Sequence, residues 1–179
     1  DLNCVYIATS IDGYIAKKDG GIDWLHELPN PTGSDYGYSD FMSEIDSLVM
    51  GRNTFEKVLS FETWPYDKLV YVASTTLNEV PEELAGKVKF ISGSPQEMVA
   101  LINAEGYSRL YIDGGQLIQS FLAADIIDEL IISRIPILLG SGISLFGELV
   151  EPLNYEHKET KVYDNTLVKS HYLRSRKKA

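Results

Sequence analysis

Short apolar runs alternate with amphipathic segments over residues 2–135, and this alternation predicts the secondary structure. Continuous apolar runs bounded by turn residues are typical of buried strands, whereas apolar residues three and four positions apart indicate helices. The apolar runs predict strands over residues 2–9, 47–50, 69–73, 88–91, 109–112 and 128–135. The amphipathic segments predict helices over residues 39–45, 54–59, 95–105 and 117–122.

Several of these helices carry boundary signals. Residues 94–97, Ser-Pro-Gln-Glu, form a capping box with proline at the first helical position, and Gly106 is placed to end that helix. Ser39 is a candidate N-cap for the helix over 39–45. Asn53 or Thr54 is a candidate cap for the helix that follows. The boundaries therefore predict distinct, separately capped helices between the strands.

The end of the chain has a different pattern. Residues 158–163 and 167–173 flank Asp164-Asn165, which predicts an antiparallel hairpin. Strands that alternate with helices and then close on a hairpin predict an α/β fold, with a central mostly parallel sheet and an antiparallel edge. Residues 17–38 contain repeated glycine and proline and predict a long irregular loop, which in a compact domain is more often functional than accidental.

Composition and charge narrow the classes of function. A length of 179 residues predicts one domain, which we place at 1–173, followed by a basic, solvated tail at 174–179. The net charge of -10 argues against nucleic-acid binding, and no apolar run approaches the roughly 20 residues that cross a bilayer. The single cysteine, Cys4, is expected to fill the core in a reduced cytoplasm. The three histidines lack metal-ligand spacing, so no metal is expected.

Two strand-to-helix junctions carry the candidate chemistry. Met50-Gly51-Arg52-Asn53-Thr54 places a glycine and a guanidinium at a helix start, where free amide groups attract anions. At Asp113-Gly114-Gly115 the missing side chains would let an anionic group lie on the amides of residues 115–117. The alternatives are an ordinary capped helix at the first junction and tight packing of helix on sheet at the second. Both junctions fall at carboxyl ends of strands, where ligands bind in such sheets.

Four motifs in this order resemble the dihydrofolate reductase superfamily. They are ATSIDGYIA at 8–16, MGRNTFE at 50–56, DGG at 113–115 and IPILLGSGISLF at 135–146. The chain is most similar to the reductase domain of the bacterial bifunctional riboflavin-biosynthesis protein and to its small stand-alone relatives. This resemblance implies a three-layer α/β fold with helices on both faces of the sheet, and NADPH as the cofactor.

The resemblance also implies roles for particular residues. Arg52 would contact the adenosine 2′-phosphate, Thr54 the pyrophosphate, Ser74 and Thr75 the adenosine side, and Ala8 and Ile15 the nicotinamide. The full set expected to hold the cofactor is Ala8, Ile15, Gly51, Arg52, Asn53, Thr54, Ser74, Thr75, Asp113, Gly114, Gly115, Gln116, Leu117 and Ile118.

The substrate side rests on aromatic and acidic residues near the irregular loop. Trp24, Tyr36, Tyr38 and Phe41 either form a flat pocket for a heteroaromatic ring or belong to the core or a dimer face. Asp12, Asp35 and Asp40 compete for the role of orienting the substrate or supplying a proton.

The resulting function hypothesis is hydride transfer from NADPH to a small heteroaromatic or aminopyrimidine-type substrate, such as 5-amino-6-(5-phosphoribosylamino)uracil. A dihydrofolate reductase-like activity and a non-catalytic NADP-binding protein are the alternatives. A homodimer is expected from the apolar residues 126–132 and 135–139 and from the apolar face of the closing hairpin.

Overall fold

A computed structural model describes residues 1–176 of the chain. Its strands are β1 (Leu2–Thr9), β2 (Tyr14–Ala16), β3 (Ser47–Gly51), β4 (Leu69–Ala73), β5 (Val88–Ile91), β6 (Arg109–Asp113), β7 (Glu129–Arg134), β8 (Ile143–Ser144), β9 (Tyr155–Tyr163) and β10 (Leu167–Arg174). Its α-helices are α1 (Asp23–His26), α2 (Tyr38–Ser43), α3 (Arg52–Leu59), α4 (Pro95–Ala104) and α5 (Gly115–Ala123). The region predicted to be wholly irregular thus contains the short helix α1.

Eight strands form one sheet in the order β5-β4-β3-β6-β1-β7-β10-β9. The pairings from β5 to β7 are parallel, whereas β10 pairs antiparallel with both β7 and β9. The turn between β9 and β10 places Asp164 and Asn165 at φ of 51° and 54°, a left-handed conformation that these two residue types tolerate. The mostly parallel sheet with an antiparallel hairpin edge confirms the predicted α/β class.

Helices cover both faces of the sheet, which confirms the three-layer arrangement. On one face α2 and α3 bury Phe41 and Phe55 against the sheet. On the other face α4 and α5 bury Ile102, Ile118 and Phe121 in a second cluster. The parallel strands read as nearly continuous apolar runs because they are buried on both sides.

The helix boundaries agree with the capping signals only in part. Ser94 caps α4 as predicted, since its hydroxyl accepts a hydrogen bond from the Glu97 amide at 3.2 Å. The helix predicted from Ser39 begins one residue earlier and has Gly37 at its N-cap. The Asn53 or Thr54 cap is also wrong, because α3 begins at Arg52 with Gly51 in the cap position.

The described basic residues near the C-terminus, Arg174 and Arg176, form ion pairs with the folded domain and do not belong to a solvated tail. Arg174 is the last residue of β10, and its guanidinium contacts the Asp125 carboxylate at 2.7 and 2.9 Å. Arg176 donates to Asp128 at 2.8 Å. The boundary predicted at 173 therefore cuts through the last strand, and the remaining residues of the predicted tail, 177–179, lie outside the described residues.

Two further expectations concern the chain as a whole. Cys4 is fully buried in the core, as expected, and burial raises the pKa of its thiol to about 12. None of the helices within residues 1–176 has the length and apolar character that crossing a membrane requires.

Candidate active site

A cleft of about 890 Å³ lies at the edge of the sheet where the parallel strands β3, β4 and β6 end. Residues at these strand ends and in the first turns of α3 and α5 line it. Its volume is near the upper end of the range typical of small-molecule sites, roughly 300–1,000 Å³. The parallel arrangement brings both strand-to-helix junctions of the sequence to one cleft, because the carboxyl ends of parallel strands share an edge.

Two helices begin at this cleft without a side-chain cap. Gly51 and Gly114 occupy the N-cap positions of α3 and α5, and neither helix start receives a capping hydrogen bond from a described side chain. The first amide groups of a helix have no partner inside it, and together with the helix dipole they attract anions. Among the α-helices within residues 1–176, only α4 has a side-chain cap from its N-cap residue, so what distinguishes α3 and α5 is that both of their uncapped starts line one cleft. The pair suits a diphosphate.

At the second junction, Gly114 and Gly115 allow neighbouring side chains to pack closely against the backbone. A Cβ on Gly114, whose φ is +102°, would lie 2.6 Å from Oγ1 of Thr54. A Cβ on Gly115 would lie 2.8 Å from Cδ1 of Ile15. The missing side chains make room for Thr54 and Ile15, which supports the packing alternative at this junction, whereas the approach of a phosphate to these glycines stays a prediction. The anion interpretation rests on the uncapped amides instead.

Arg52 is held in place at the adjoining wall of the cleft. Its Nε donates to Glu56 at 2.9 Å and its Nη1 donates to the Thr76 hydroxyl at 3.0 Å. Thr76 belongs to the loop after β4, where its amide donates to the Ser74 hydroxyl at 3.2 Å. A guanidinium has five N–H donors, so these two contacts orient the group and leave donors for an anionic ligand.

Asp113, at the end of β6, places a carboxyl group in the cleft between the two helix starts. Burial raises the pKa of this carboxyl to about 6, against an ordinary value near 4. The Tyr66 ring lines the same cleft; burial raises the pKa of its hydroxyl, and the charge of Asp113 adds to that effect. A carboxyl group with a pKa near neutrality can hold a proton and release it during a reaction.

The structure brings together most of the residues predicted to hold the cofactor. Those that line the cleft are Ile15, Gly51, Arg52, Asn53, Thr54, Ser74, Thr75, Asp113, Gly114, Gly115, Gln116 and Leu117. Ile118 is instead fully buried in the core, and Ala8 packs beside Trp24 and Ile135. Ile7 takes the place predicted for Ala8 because successive side chains of β1 point to opposite faces.

The three predicted catalytic carboxylates lie elsewhere. Asp12 accepts hydrogen bonds from the Ser10 hydroxyl at 2.5 Å and the Gly140 amide at 2.8 Å, and these bonds lower the pKa of its carboxyl. Asp35 accepts from the backbone at the start of α2, and hydrogen bonds from Ser39 likewise lower its pKa. Asp40 is exposed in the first turn of α2. The first two carboxylates hold loops together, and none of the three lines the cleft.

The predicted substrate aromatics also belong mainly to the core. Trp24 and Phe41 are buried, and Tyr36 packs edge-on against Tyr163 at a ring distance of 5.2 Å. Tyr38 packs against Tyr6; burial raises the pKa of its hydroxyl, and the charge of Asp113 adds to that effect. The core alternative is therefore correct for Trp24 and Phe41.

Sequence analysis missed the residues that form the apolar wall of the cleft. Among them are Ile7, Ile22, Val58, Phe61, Tyr66, Met98 and Ile143. Phe61 and Tyr66 lie in the connection between α3 and β4, which has no periodic pattern that would mark them. Among residues 1–176, no three histidine, cysteine or acidic side chains are grouped as a metal would require.

Solved structures with similar folds include reductases. The structure of a putative riboflavin biosynthesis protein from Shewanella sp. PV-4 is 48% identical, superposes with a TM-score of 0.94 and matches 98% of this chain and 100% of its own. A diaminohydroxyphosphoribosylaminopyrimidine deaminase/5-amino-6-(5-phosphoribosylamino)uracil reductase from Thermotoga maritima shares the fold at 13% identity, with a TM-score of 0.75 over 97% of this chain and 56% of that one. Enterococcus faecalis dihydrofolate reductase complexed with NADP(H) shares it at 18% identity, with a TM-score of 0.66 over 98% and 97%.

Sequence comparison leads to the same group. The uncharacterized protein YwjB of Bacillus subtilis is 41% identical over 175 residues, which are 96% of this chain and 97% of that protein. The profile of the RibD C-terminal domain matches residues 4–169. The match spans nearly all of the sheet and both helix starts of the cleft, and the chain therefore belongs to the RibD C-terminal domain family.

Proposed function

We propose that the protein is an NADPH-dependent reductase that transfers a hydride to a small heteroaromatic or aminopyrimidine-type substrate. The observation that carries this proposal is one cleft that is lined by two uncapped helix starts and by the partly buried Asp113 between them. Such a cleft provides an anion site for a dinucleotide and an acid beside it. The reductases among the related folds support the same class of chemistry.

The cofactor would lie along the edge of the sheet. Arg52, with Ser74 and Thr75, would hold the adenosine end, and the amides that begin α3 and α5 would hold the pyrophosphate. Ile15 would support the nicotinamide. NADPH bound in this way supplies the hydride, whereas the protein supplies position, a dry wall and a proton.

The proton would come from Asp113. When a carbon–nitrogen double bond accepts a hydride at carbon, the nitrogen must gain one proton for charge to balance. Asp113 lines the cleft, and its carboxyl, when it holds a proton, would donate that proton and regain one from solvent. Tyr66, whose neutral hydroxyl can both donate and accept a hydrogen bond, would orient the substrate.

The substrate that we propose first is 5-amino-6-(5-phosphoribosylamino)uracil, since the chain belongs to the RibD C-terminal domain family. The test mixes the protein with NADPH and each candidate substrate, including dihydrofolate, and follows the loss of reduced-nicotinamide absorbance. Turnover of dihydrofolate alone would favour the folate alternative. Tight NADPH binding without turnover of any substrate would favour a non-catalytic NADP-binding protein.

We expect the protein to prefer NADPH to NADH because of Arg52. Arg52→Ala removes the guanidinium that Glu56 and Thr76 hold at the cleft, and we expect a loss in NADPH affinity of at least about tenfold, or ~1.4 kcal/mol. The affinity for NADH, which lacks the 2′-phosphate, should change little and serves as the internal control. Isothermal titration of both cofactors measures the difference. Equal affinity of the unmutated protein for the two cofactors would contradict the assignment.

We also propose a homodimer. The structure leaves fewer apolar residues exposed for the contact than the sequence pattern suggests. The apolar run 126–132 consists largely of β7, which is buried within the sheet and needs no partner. The exposed apolar surface lies instead on the outer hairpin, where Val162 and Val168 are paired and 60% and 38% exposed, and at Leu149 and Val150. A two-fold self-complementary contact is the commonest way to cover such a patch.

Light scattering at micromolar concentration should therefore give a mass of about twice 20.0 kDa. Val162→Glu should shift the mass towards that of the single chain if the hairpin forms the contact, whereas Leu101→Glu, at an exposed site on α4, should not. A mass near 20.0 kDa for the unmutated protein would contradict the homodimer.

A further inference from the structure

The cleft contains a cation that the cofactor does not account for. Lys57, on α3, lines the cleft, and its ammonium group donates a hydrogen bond to the backbone carbonyl of Gly20. Within residues 1–176 no carboxylate forms an ion pair with Lys57, in contrast to Arg52, which pairs with Glu56 at 2.9 Å. Lys57 is thus a half-buried cation whose hydrogen-bond partner, the Gly20 carbonyl, carries no charge.

Among the residues that the structure describes, Lys57 shares its lack of a carboxylate partner with Lys169, whose ammonium group donates to the Tyr36 carbonyl at 2.7 Å, but Lys57 lines the cleft and Lys169 does not. The formal net charge is -10, and several cations of the fold pair with carboxylates, among them Arg109, Arg174 and Lys17. An ammonium group has three N–H donors, of which one is used by Gly20. Removing a charge from water without an opposite charge is unfavourable, so a ligand that brings a negative group to Lys57 gains affinity.

Lys57 lies beyond the expected cofactor contacts along α3, about one turn after Thr54, which is expected at the pyrophosphate. It follows Arg52 by five residues, which is about 1.4 turns and roughly 7.5 Å further along α3. The cleft residues around this part of α3 are apolar, with Val58 in the helix and Phe61 just after it, 48% exposed. Gly20 and Ile22, from the loop before α1, line the cleft as well. This arrangement suits a molecule with a flat apolar body and a charged end.

The Gly20 carbonyl that accepts from Lys57 belongs to a hydrogen-bonded turn. The Gly20 amide donates to the Lys17 carbonyl at 2.9 Å, and the Lys17 amide donates to the Gly21 carbonyl at 2.9 Å. These reciprocal bonds close a tight turn, with Gly20 at φ +83°. The turn presents its carbonyl to Lys57, so that the charged group is oriented before a ligand arrives.

We propose that Lys57 binds an anionic group of the substrate, a phosphate or a carboxylate, carried at a distance from the atom that is reduced. This assignment rests on the proposed reductase function and adds to it a residue that sets specificity. Lys57 acts on binding and takes no part in hydride or proton transfer. Its loss should therefore change KM for charged substrates and leave kcat nearly unchanged.

The test compares charged and neutral members of two probe pairs in the presence of NADP⁺. One pair is 5-amino-6-(5-phosphoribosylamino)uracil and its dephosphorylated form; the other is dihydrofolate, whose glutamate carries carboxylates, and dihydrobiopterin, which lacks them. We expect the charged member of one pair to bind the unmutated protein at least about tenfold more tightly than the neutral member. Lys57→Met should abolish that ratio, and Lys57→Arg should retain most of it. The pair that responds identifies phosphate or carboxylate as the group.

Controls separate this inference from the proposed function and from misfolding. The affinity for NADPH and the midpoint of thermal unfolding should be the same in both variants. If no probe is reduced, the reductase proposal fails, but the ratios of dissociation constants still decide the role of Lys57. Equal weakening of both members of each pair in Lys57→Met would show that the residue only fastens the Gly20 turn, and would overturn the inference. Equal binding of charged and neutral members to the unmutated protein would overturn it as well.

Discussion

Asp113→Asn should lower kcat by about 10²–10⁴-fold while leaving the affinity for NADPH nearly unchanged. Asparagine keeps the size and polarity of the side chain but cannot release a proton to the substrate. Because burial raises the pKa of Asp113 to about 6, a mechanism that needs the protonated carboxyl also predicts that kcat falls as the pH rises above about 6. Stopped-flow measurement of NADPH oxidation between pH 5 and 8, values that bracket this pKa at roughly one to two units, checks both expectations.

The same substitution should raise the stability of the fold at neutral pH. The pKa of Asp113 is higher in the folded state than in the unfolded chain, so the protonated group favours folding. This contribution is fully present below about pH 4 and is lost as the pH rises through about 6. Asp113→Asn avoids that loss, and we expect a gain of at most about 3 kcal/mol in the free energy of unfolding at pH 7, with little gain at pH 4.

Asp40→Asn is the matched control, because Asp40 is an exposed carboxylate on α2 that does not line the cleft. Its kcat should remain within about threefold of the unmutated value, well under the 10²-fold of a lost acid. An Asp113→Asn variant with normal kcat would remove Asp113 from the chemistry, and a large loss in Asp40→Asn would restore the sequence-based alternative.

Arg109→Met should destabilise the fold by about 3–5 kcal/mol. Arg109 begins β6, and its guanidinium contacts Glu129 at 3.0 Å at the end of the sheet opposite the cleft. The Glu129 side chain is only 8% exposed, and its other partner is His171 at 3.3 Å. Removing Arg109 would leave a buried carboxylate without its permanent cation, which is among the larger single-site penalties. Urea unfolding at pH 7 measures the loss.

Two variants test this explanation. Lys161→Met removes one member of an exposed pair, 3.8 Å from Glu159 and 58% exposed on both sides, and should change stability by less than about 1 kcal/mol. Adding Glu129→Gln to Arg109→Met removes the buried carboxylate that lost its cation, and it should restore part of the free energy of unfolding. A loss below about 1 kcal/mol in Arg109→Met would mean that water reaches Glu129 and that the pair is weak.

Local sequence determined the parts of this protein that depend on neighbouring residues. The strand runs, the Ser94 cap and the Asp164-Asn165 turn follow from burial periodicity and backbone preference, both of which act over a few positions. The two junctions with glycine were also recognisable, because the order of strand and helix places them at the carboxyl end of the sheet. Resemblance to a known superfamily added the expectation of NADPH.

The carboxylates and aromatics of the candidate site depended on tertiary structure. Asp12 and Asp113 look alike in sequence, each beside a glycine after an apolar run, yet Asp12 accepts a hydrogen bond from the amide of Gly140 and the partly buried Asp113 lines the cleft. Their pKa values shift in opposite directions because the partners that surround them come from distant parts of the chain.

The apolar residues of the cleft likewise could not be identified from the sequence pattern. Trp24 and Phe41 lie in segments that sequence analysis associated with the site, but they fill the core, whereas Phe61 and Tyr66 reach the cleft from a connection without periodicity. The sequence by itself determined the order of elements, the sheet edge where a ligand would bind and the helix starts that face it. Only the tertiary structure decided which acid, which rings and which lysine line that edge, because side-chain direction and burial depend on segments far apart in sequence.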